Sequence, residues 1–400
     1  MSCAEAAKPA PGSLFSPQAM HVFAAVTLAG MLAGSAAPTP LYHFYQESWS
    51  LPPVMLTIIF AIYALVLLAT LLTVGSLSDY IGRRPVVLAG LALSVASMEL
   101  FFLADSAGWL IAARCVQGVA AGILSSTLGA TLMDTNPRSG PIVNAVTPMV
   151  GMAVGVLGSG ALVSFAPAPT ELVYQIMLTF FLGLAILLWW MPETAIRKQG
   201  ALGSLKPHVA VPVQCRAAFW RVTPSNIANW SLGGFYLSLM PSLLRAATQL
   251  ESPLVGGGIV ALLTLSGAAG ILMARHSTPP RILIGGTSAM AAGVAVTLLG
   301  VVSQQVLLML AGTLIAGYGF GTCFFAATRM IMPLAGPTER AGLLAAFLLQ
   351  SYLAFSLPVI LLGLLTPSLG LVRASYLFGG IVILLSLISL TATIVVERRK

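Results

Sequence analysis

The sequence predicts an all-α membrane protein of twelve transmembrane helices, arranged as two pseudo-symmetric six-helix bundles. Three observations lead there. Of 400 residues, 58% are hydrophobic and 8% charged, against about 25% charged in soluble domains, so water cannot solvate most of this surface. At about 20 apolar residues per span plus a short connection, the length holds roughly a dozen spans and leaves no room for a soluble domain of ordinary size. The 39 glycines fall mostly inside apolar runs, where they would weaken a helix in water but let membrane helices approach closely.

Apolar stretches bounded by charge, proline or turn residues place spans near 20–38, 54–74, 85–104, 108–132, 141–164 and 171–191. These make an N-terminal bundle over 20–191, after a tail over 1–19. A polar linker over 192–221 carries Arg197, Lys198, Lys206, His208 and Arg216, the longest charged interval in the chain. Spans resume near 222–244, 253–274, 282–302, 306–328, 341–364 and 374–396, giving a C-terminal bundle over 222–396 and a tail over 397–400.

With the N-terminus in the cytosol, both tails and the linker are cytosolic, and the 19 lysines and arginines divide unevenly. Arg245 and Arg373 fall outside and Arg114 within a span; all others, from Lys8 to Arg399 and Lys400, lie on the cytosolic side, as the positive-inside bias requires. The net charge of +8 is therefore a topology signal and not the footprint of a nucleic-acid partner. Trp49, Trp109, Trp189, Trp190 and Trp220 lie at predicted helix ends, where amphipathic rings favour the headgroup zone. Small residues at 34–37 are those of a signal-peptide cleavage site, but a single lysine balanced by Glu5 precedes them, and cleavage would leave unmatched halves. Cys3, Cys115, Cys215 and Cys323 show no C-x-x-C spacing, so neither a metal site nor a disulfide framework is expected.

The turn between spans two and three reads Gly75-Ser76-Leu77-Ser78-Asp79-Tyr80-Ile81-Gly82-Arg83-Arg84-Pro85. Physically, Gly75 allows close packing, Gly82 permits a turn that a side chain would obstruct, and Asp79 suits a neighbouring helix N-terminus and Arg84. The segment resembles the G-x-L-[SA]-D-x-x-G-R-[RK] signature of the major facilitator superfamily, with Tyr80 where a basic residue is frequent. That resemblance implies a gate made by Gly75, Asp79, Gly82, Arg83 and Arg84, latching the cytosolic side against the start of span eleven near Arg340 to Gly342.

Span four carries Arg114-Cys115-Val116-Gln117-Gly118, which resembles the family's R-x-x-Q-G motif. Arg114 lies about 9 Å deep at ~1.5 Å of rise per residue, where an unpaired arginine costs about 2.5 to 3.5 kcal/mol or more. It needs a partner, a wet cavity or a route for its head to the outer interface; Gln117 shares its face. Glu99 is the carboxylate that falls clearly within a span, on the same side as Arg114, and either pairing or separate snorkelling accounts for it. Arg114, Gln117 and Glu99 are candidates for ion coupling, Glu99 as a proton carrier.

Span five runs from Gly151 to Gly160 as a small-residue stripe that suits helix packing and resembles the family's G-x-x-x-G-P-x-x-G-G antiporter motif. Val156 and Ser159 depart from that motif, which leaves Pro148 to bend the helix. Met191-Pro192-Glu193-Thr194 resembles the end of the first half in drug-exporter branches and equally reads as a helix stop. Span seven sets Asn226, Asn229, Trp230 and Tyr236 in an apolar run, where inter-helix hydrogen bonding explains them as well as ligand contact does. The resemblance places this helix around a central cavity with spans one, four and ten, the last adding Tyr318.

A G-x-x-x-x-G-K-[ST] signature for ATP is absent, and so are H-E-x-x-H, paired aspartates and G-x-S-x-G, which argues against a pump and against an intramembrane enzyme. No cofactor is expected. The resemblance implies a secondary transporter that exports lipophilic, drug-like compounds in exchange for protons by alternating access, as a monomer surrounded by lipid in the bacterial inner membrane. An importer or facilitator of a small polar metabolite and a transporter-like receptor remain as alternatives. The cavity spans favour the exporter: span one holds no acid, lysine or arginine, and the polar anchors are few. A sugar or amino acid would leave buried polar groups unmet at about 1 to 3 kcal/mol each, whereas an amphipathic molecule gains from apolar and aromatic walls. Arg114 tilts the preference toward neutral or weakly anionic compounds.

Overall fold

The computed structural model describes residues 15–196, 198–250 and 252–398; Cys3, Glu5, Lys8, Arg197, Arg399 and Lys400 lie outside the described residues. Twelve long helices follow one another: α1 (Pro17–Ala36), α2 (Pro53–Val74), α3 (Arg83–Phe102), α4 (Ala107–Thr135), α5 (Gly140–Phe165), α6 (Pro169–Leu188), α7 (Arg216–Ser238), α8 (Pro253–Ala274), α9 (Pro279–Val302), α10 (Val306–Ile331), α11 (Arg340–Leu369) and α12 (Leu371–Glu397). Short helices Tyr42–Ser48, Ser78–Ile81 and Met240–Thr248 sit at their ends.

Local chemistry sets these boundaries. Prolines open α1, α2, α6, α8 and α9, at positions where the missing N–H has no helical partner to lose. The Ser16 and Ser252 hydroxyls accept from the Ala19 and Val255 amides and cap α1 and α8. Pro148 lies inside α5, which nevertheless continues from Gly140 to Phe165. The largest departure from the sequence reading is α7, which begins at Arg216 rather than near 222 and ends at Ser238 rather than near 244. Arg216 and Arg221 read as linker charge, but a helix runs on past the apolar zone wherever its backbone bonds close. The chain then turns at Leu239 and restarts with Pro241 near the head of the next short helix.

Among the described residues, eleven helices have the length and apolar content to cross a membrane. α7 falls short of that measure because Ser225, Asn226, Asn229 and Ser231 dilute its apolar run. All four are buried inside the protein, which is where a membrane helix tolerates polar groups.

Packing repeats with a shift of six helices. In the first half α1 packs on α4 and α5, α2 on α4, and α3 on α4 and α6; in the second α7 packs on α10 and α11, α8 on α10, and α9 on α10 and α12. The repeat is also visible at single glycines. A Cβ on Gly118 of α4 would lie 2.7 Å from the Tyr63 carbonyl of α2, and one on Gly317 of α10 would lie 2.6 Å from the Leu263 carbonyl of α8.

The two halves touch chiefly through α2 with α11 and α5 with α8. At the end away from the linker, hereafter the distal end, the contacts are direct. The Thr39 hydroxyl donates to the Leu237 carbonyl at 2.9 Å and Arg245 lies 3.8 Å from Glu47; further in, half-way along α11, Phe60 meets Phe355 at 5.0 Å between ring centroids. A partly open cavity of about 130 Å³ lined by Thr39, Tyr42, Glu47, Ser238 and Arg245 lies there. On the α5–α8 side, contact extends inward to Met149 against Ala268 and Ile271. Elsewhere toward the linker end the facing walls part, and Ser125, Ser126, Thr147, Trp230, Phe324, Gln350 and Tyr352 are left only half-buried. The contacts between the halves that can be named are thus stronger at the distal end than toward the linker.

Candidate functional site

Three groups of residues bear on function: a buried arginine in the first half, the charged turn at the linker end, and an aromatic wall in the second half. Arg114 projects from α4 into the first half and is 1% exposed. Its guanidinium donates to the Ser35 carbonyl at 2.9 Å, to Gln117 Oε1 at 2.6 Å and to the Tyr42 hydroxyl, while Gln117 donates to the Gly34 carbonyl at 3.0 Å. Gly34 and Ser35 belong to the last turn of α1, whose carbonyls favour a cation. The rings of Tyr42, Tyr63 and Phe101 lie 5.6, 5.4 and 5.6 Å from the guanidinium carbon and present their negative faces to it. Burial raises the Tyr42 phenol above its ordinary value against the opposing pull of Arg114, so Tyr42 meets the guanidinium as a neutral acceptor. Only Nε is buried without a partner.

This socket decides between the alternatives left open for Arg114 and Glu99, giving Arg114 polar partners. Arg114 neither stands in a wet cavity nor reaches the outer interface; neutral carbonyls, a phenol, an amide and three rings surround it. Glu99 is not its counter-ion, since Glu99 is exposed on α3. Sequence position put the two at similar depth, but facing directions are a tertiary property.

At the linker end, the buried Arg83 gathers the charged turn. Its guanidinium lies 2.5 Å from Asp79, donates to the Ser78 hydroxyl at 2.6 Å and to Asp134 of α4 at 3.0 Å. The Arg83 and Arg84 amides, which open α3, donate to the Glu193 carboxylate at 2.7 and 3.1 Å, and the Arg84 side chain donates to the Trp189 carbonyl at 2.7 Å. Glu193 thus caps α3 from across the bundle, a site that favours an anion. Gly82 is required beside it: its φ is +105°, and a Cβ would lie 2.6 Å from Glu193 Oε2.

Asp79 therefore pairs with Arg83, and not with Arg84 as expected. The three nearest atoms to a Cβ at Gly75 are those of Leu71, four residues back in the chain. The start of α11 is met by the linker instead of by Asp79. The Ala210 amide donates to the Gly342 carbonyl at 3.2 Å, the Lys198 amide to the Tyr80 carbonyl at 2.9 Å, and the Ser76 hydroxyl to the Ser204 carbonyl at 3.2 Å. The linker thus bonds both to the charged turn and to the start of α11, the two elements that the latch would join.

In the second half, Asn226 donates to Gln350 at 3.0 Å and to Ser351 at 2.9 Å, and Gln350 donates to Thr223 at 3.0 Å. One turn further along α7, Trp230 is surrounded by the rings of Phe324, Tyr352 and Phe355. Of the expected cavity residues, Asn226 and Trp230 belong to this wall. Asn229 is 2% exposed with Oδ1 unpartnered. Tyr236 does not line it: fully buried, its hydroxyl is 2.8 Å from Thr313 inside the C-terminal bundle. Nor does Tyr318, which packs toward Gly270 of α8 and Gly285 of α9. The reading of span seven missed the partners from α11, although Gln350-Ser351-Tyr352 is a polar interruption of an apolar span and could have flagged them.

The sequence profile of the Major Facilitator Superfamily matches residues 22–308. The multidrug transporter MdfA of Yersinia pestis bv. Antiqua (strain Angola) is 26% identical over 337 residues, covering 76% of this chain and 74% of that protein. The multidrug resistance protein MdtL of Escherichia coli O127:H6 is 28% identical over 138 residues, covering 33% of this chain and 34% of that one. Among solved structures, a bacterial homologue of the human lysosomal transporter Spinster, inward-facing and unoccupied, superposes with a TM-score of 0.75 at 13% identity, covering 96% of this chain and 98% of that one. The nucleoside transporter NupG superposes with a TM-score of 0.72 at 12% identity, covering 94% and 100%. A profile match across most of the chain, joined to twelve helices in two repeating bundles, makes this integral membrane protein a member of the major facilitator superfamily.

Proposed function

We propose that this transporter exports small lipophilic compounds across the bacterial inner membrane by alternating access, in exchange for protons. The observation that carries the reading is the half-buried wall of Trp230, Phe324, Tyr352 and Phe355, which holds many rings, few free polar groups and no carboxylate, at the parting of the halves. Such a wall rewards apolar area and offers little to a sugar or amino acid. The relatives named as multidrug transporters support export at low identity. The proton arm rests on the resemblance to antiporter branches, and Glu99 is a poor carrier from its exposed place on α3.

In this reading the linker end is cytosolic, so the open state accepts substrate from the cytosol. Release requires the Thr39–Leu237 and Glu47–Arg245 contacts to part while the Asp79 turn closes on α11. Expression in an efflux-deficient bacterium is expected to raise tolerance to a neutral amphiphile more than to a quaternary ammonium dye. Protection against the dye alone would oppose the proposed substrate class.

Orientation has its own test. Single cysteines placed at Ser139, Ser204 and Thr338 in a cysteine-free background are expected to be shielded from an impermeant thiol reagent added to intact cells. Labelling at Ser204 would turn the topology over.

A further inference from the structure

The wall around Trp230 is a box of rings built about one buried donor. Trp230 meets Phe324 at 5.5 Å, Tyr352 at 4.9 Å and Phe355 at 5.8 Å between centroids, and Phe60 of α2 closes the box from the other half, 5.0 Å from Phe355. Gly233, the next turn of the same face, makes room for Phe320; a Cβ there would lie 2.8 Å from that ring. Within this carbon surface the indole Nε1 has no hydrogen-bond partner. Buried polar groups are nearly always paired, and an orphan is a cost that an incoming acceptor removes.

Apart from the Tyr352 hydroxyl, for which no hydrogen bond is seen, the other polar groups of this wall are already engaged. Asn226 is tied to Gln350 and Ser351, Gln350 to Thr223, and the Ser231 hydroxyl to the Ala354 carbonyl. Asn229 is too enclosed to meet a ligand unless α7 parts from its neighbours. The Trp230 ring itself is half-buried, with Nε1 hidden beneath the rings around it. A ligand would therefore reach the donor by displacing a ring rather than by filling an empty slot.

Charge argues in the same direction. No carboxylate stands among these residues, so a cation would find ring faces but no counter-ion. The buried charge on this side of the first half is positive: Tyr63, one turn from Phe60 on α2, turns its ring to Arg114 at 5.4 Å.

We propose that this box is the specificity site of the transporter and takes a flat, neutral aromatic molecule bearing one strong acceptor, such as a ring carbonyl. The rings stack in place of a displaced phenyl group, and the acceptor takes the Trp230 Nε1 hydrogen. The proposal rests on the exporter reading for its substrate class but concerns binding alone.

Equilibrium dialysis against purified protein in lipid nanodiscs, corrected with empty nanodiscs, tests it with three bicyclic probes of matched size. Naphthalene has no acceptor, coumarin has a ring carbonyl, and N-methylquinolinium is a permanent cation. Coumarin is expected to bind about tenfold more tightly than naphthalene, the size of one hydrogen bond to an otherwise orphaned group. Trp230→Phe keeps a ring and removes the donor, so it should bring coumarin down to naphthalene while naphthalene binding persists and reports an intact site. Trp230→Ala should weaken both. A coumarin-to-naphthalene ratio unchanged in Trp230→Phe, tighter binding of N-methylquinolinium than of coumarin, or no binding of any probe to the unmodified protein would each overturn the assignment. Dialysis is blind to direction, so the box stands if the protein proves to be an importer, and export stands if the box fails.

Discussion

Replacing Arg114 with alanine is expected to abolish transport and to lower the yield of folded protein. The substitution removes a guanidinium that binds the Ser35 carbonyl, Gln117 and the Tyr42 hydroxyl at once, and leaves those groups buried without a partner at about 1 to 3 kcal/mol each. Arg114→Lys separates structure from function. Lysine keeps the charge beside the last turn of α1 but lacks the planar fork, so it cannot hold carbonyl, amide and phenol together. That variant is expected to reach the membrane yet lose roughly ten- to hundredfold in flux, the equivalent of one charged hydrogen bond of about 1.5 to 3 kcal/mol. The geometry implies a purpose for the socket: it fixes the end of α1, three residues before the distal contact Thr39, to α4. Equal flux in the native, lysine and alanine proteins would remove Arg114 from the mechanism.

The second large effect is expected at Arg83. In the open state its guanidinium holds Asp79 and Asp134 within the first half. Both carboxylates are partly exposed, at 47% and 33% for their side chains, so solvent screens the pair and the stability lost in Arg83→Ala is modest, about 1 kcal/mol or less. The conformational effect is larger, because Asp79 is set free to meet the start of α11. We expect the variant to insert normally, transport poorly and populate the state closed at the linker end. A cysteine at Ser126, half-buried at the opening, reads this out: its labelling in everted vesicles should slow in the Arg83→Ala background. Unchanged labelling together with lost flux would make Arg83 a folding residue only.

Much of this architecture is legible in the sequence because the membrane imposes a strong, local constraint: apolar runs of fixed length, basic residues on one side and tryptophans at the edges. α7 shows where that legibility stops. Its start is masked by Arg216 and Arg221, and its polar residues lower its apolar content, yet Asn226 and Trp230 turn inward toward α10 and α11. Sequence alone identifies that helix as unusual without saying which neighbours answer it. The faint duplication has a similar cause. The turn between α8 and α9 keeps little of the Asp79 motif, whereas the G-x-x-x-G spacing at Gly118 and Gly122 recurs at Gly317 and Gly321 because helix approach, not charge, is what the two halves share.

Long-range partners were the hardest to read. Glu193 looks like part of a helix stop, and only the fold brings it 110 residues back along the chain to the Arg83 amide. The Arg114 socket draws on α1, α2, α3 and the segment after α1, so depth alone could call for a partner but not name Tyr42, Tyr63 or Phe101. For Glu99 and Tyr318 the facing direction is what residue type does not give: Glu99 is exposed on α3 and Tyr318 packs toward Gly270 and Gly285.

The central claim, that a compound enters from the linker side and leaves at the distal end, is tested most directly by flux into everted membrane vesicles, whose exposed face is the cytosolic one. With the interior made acidic, vesicles carrying the native protein are expected to accumulate coumarin above vesicles carrying Trp230→Ala, and collapse of the pH gradient is expected to release it. Uptake of a polar nutrient such as a nucleoside or sugar by right-side-out vesicles, with no coumarin flux in the everted ones, would contradict the account and make the protein an importer.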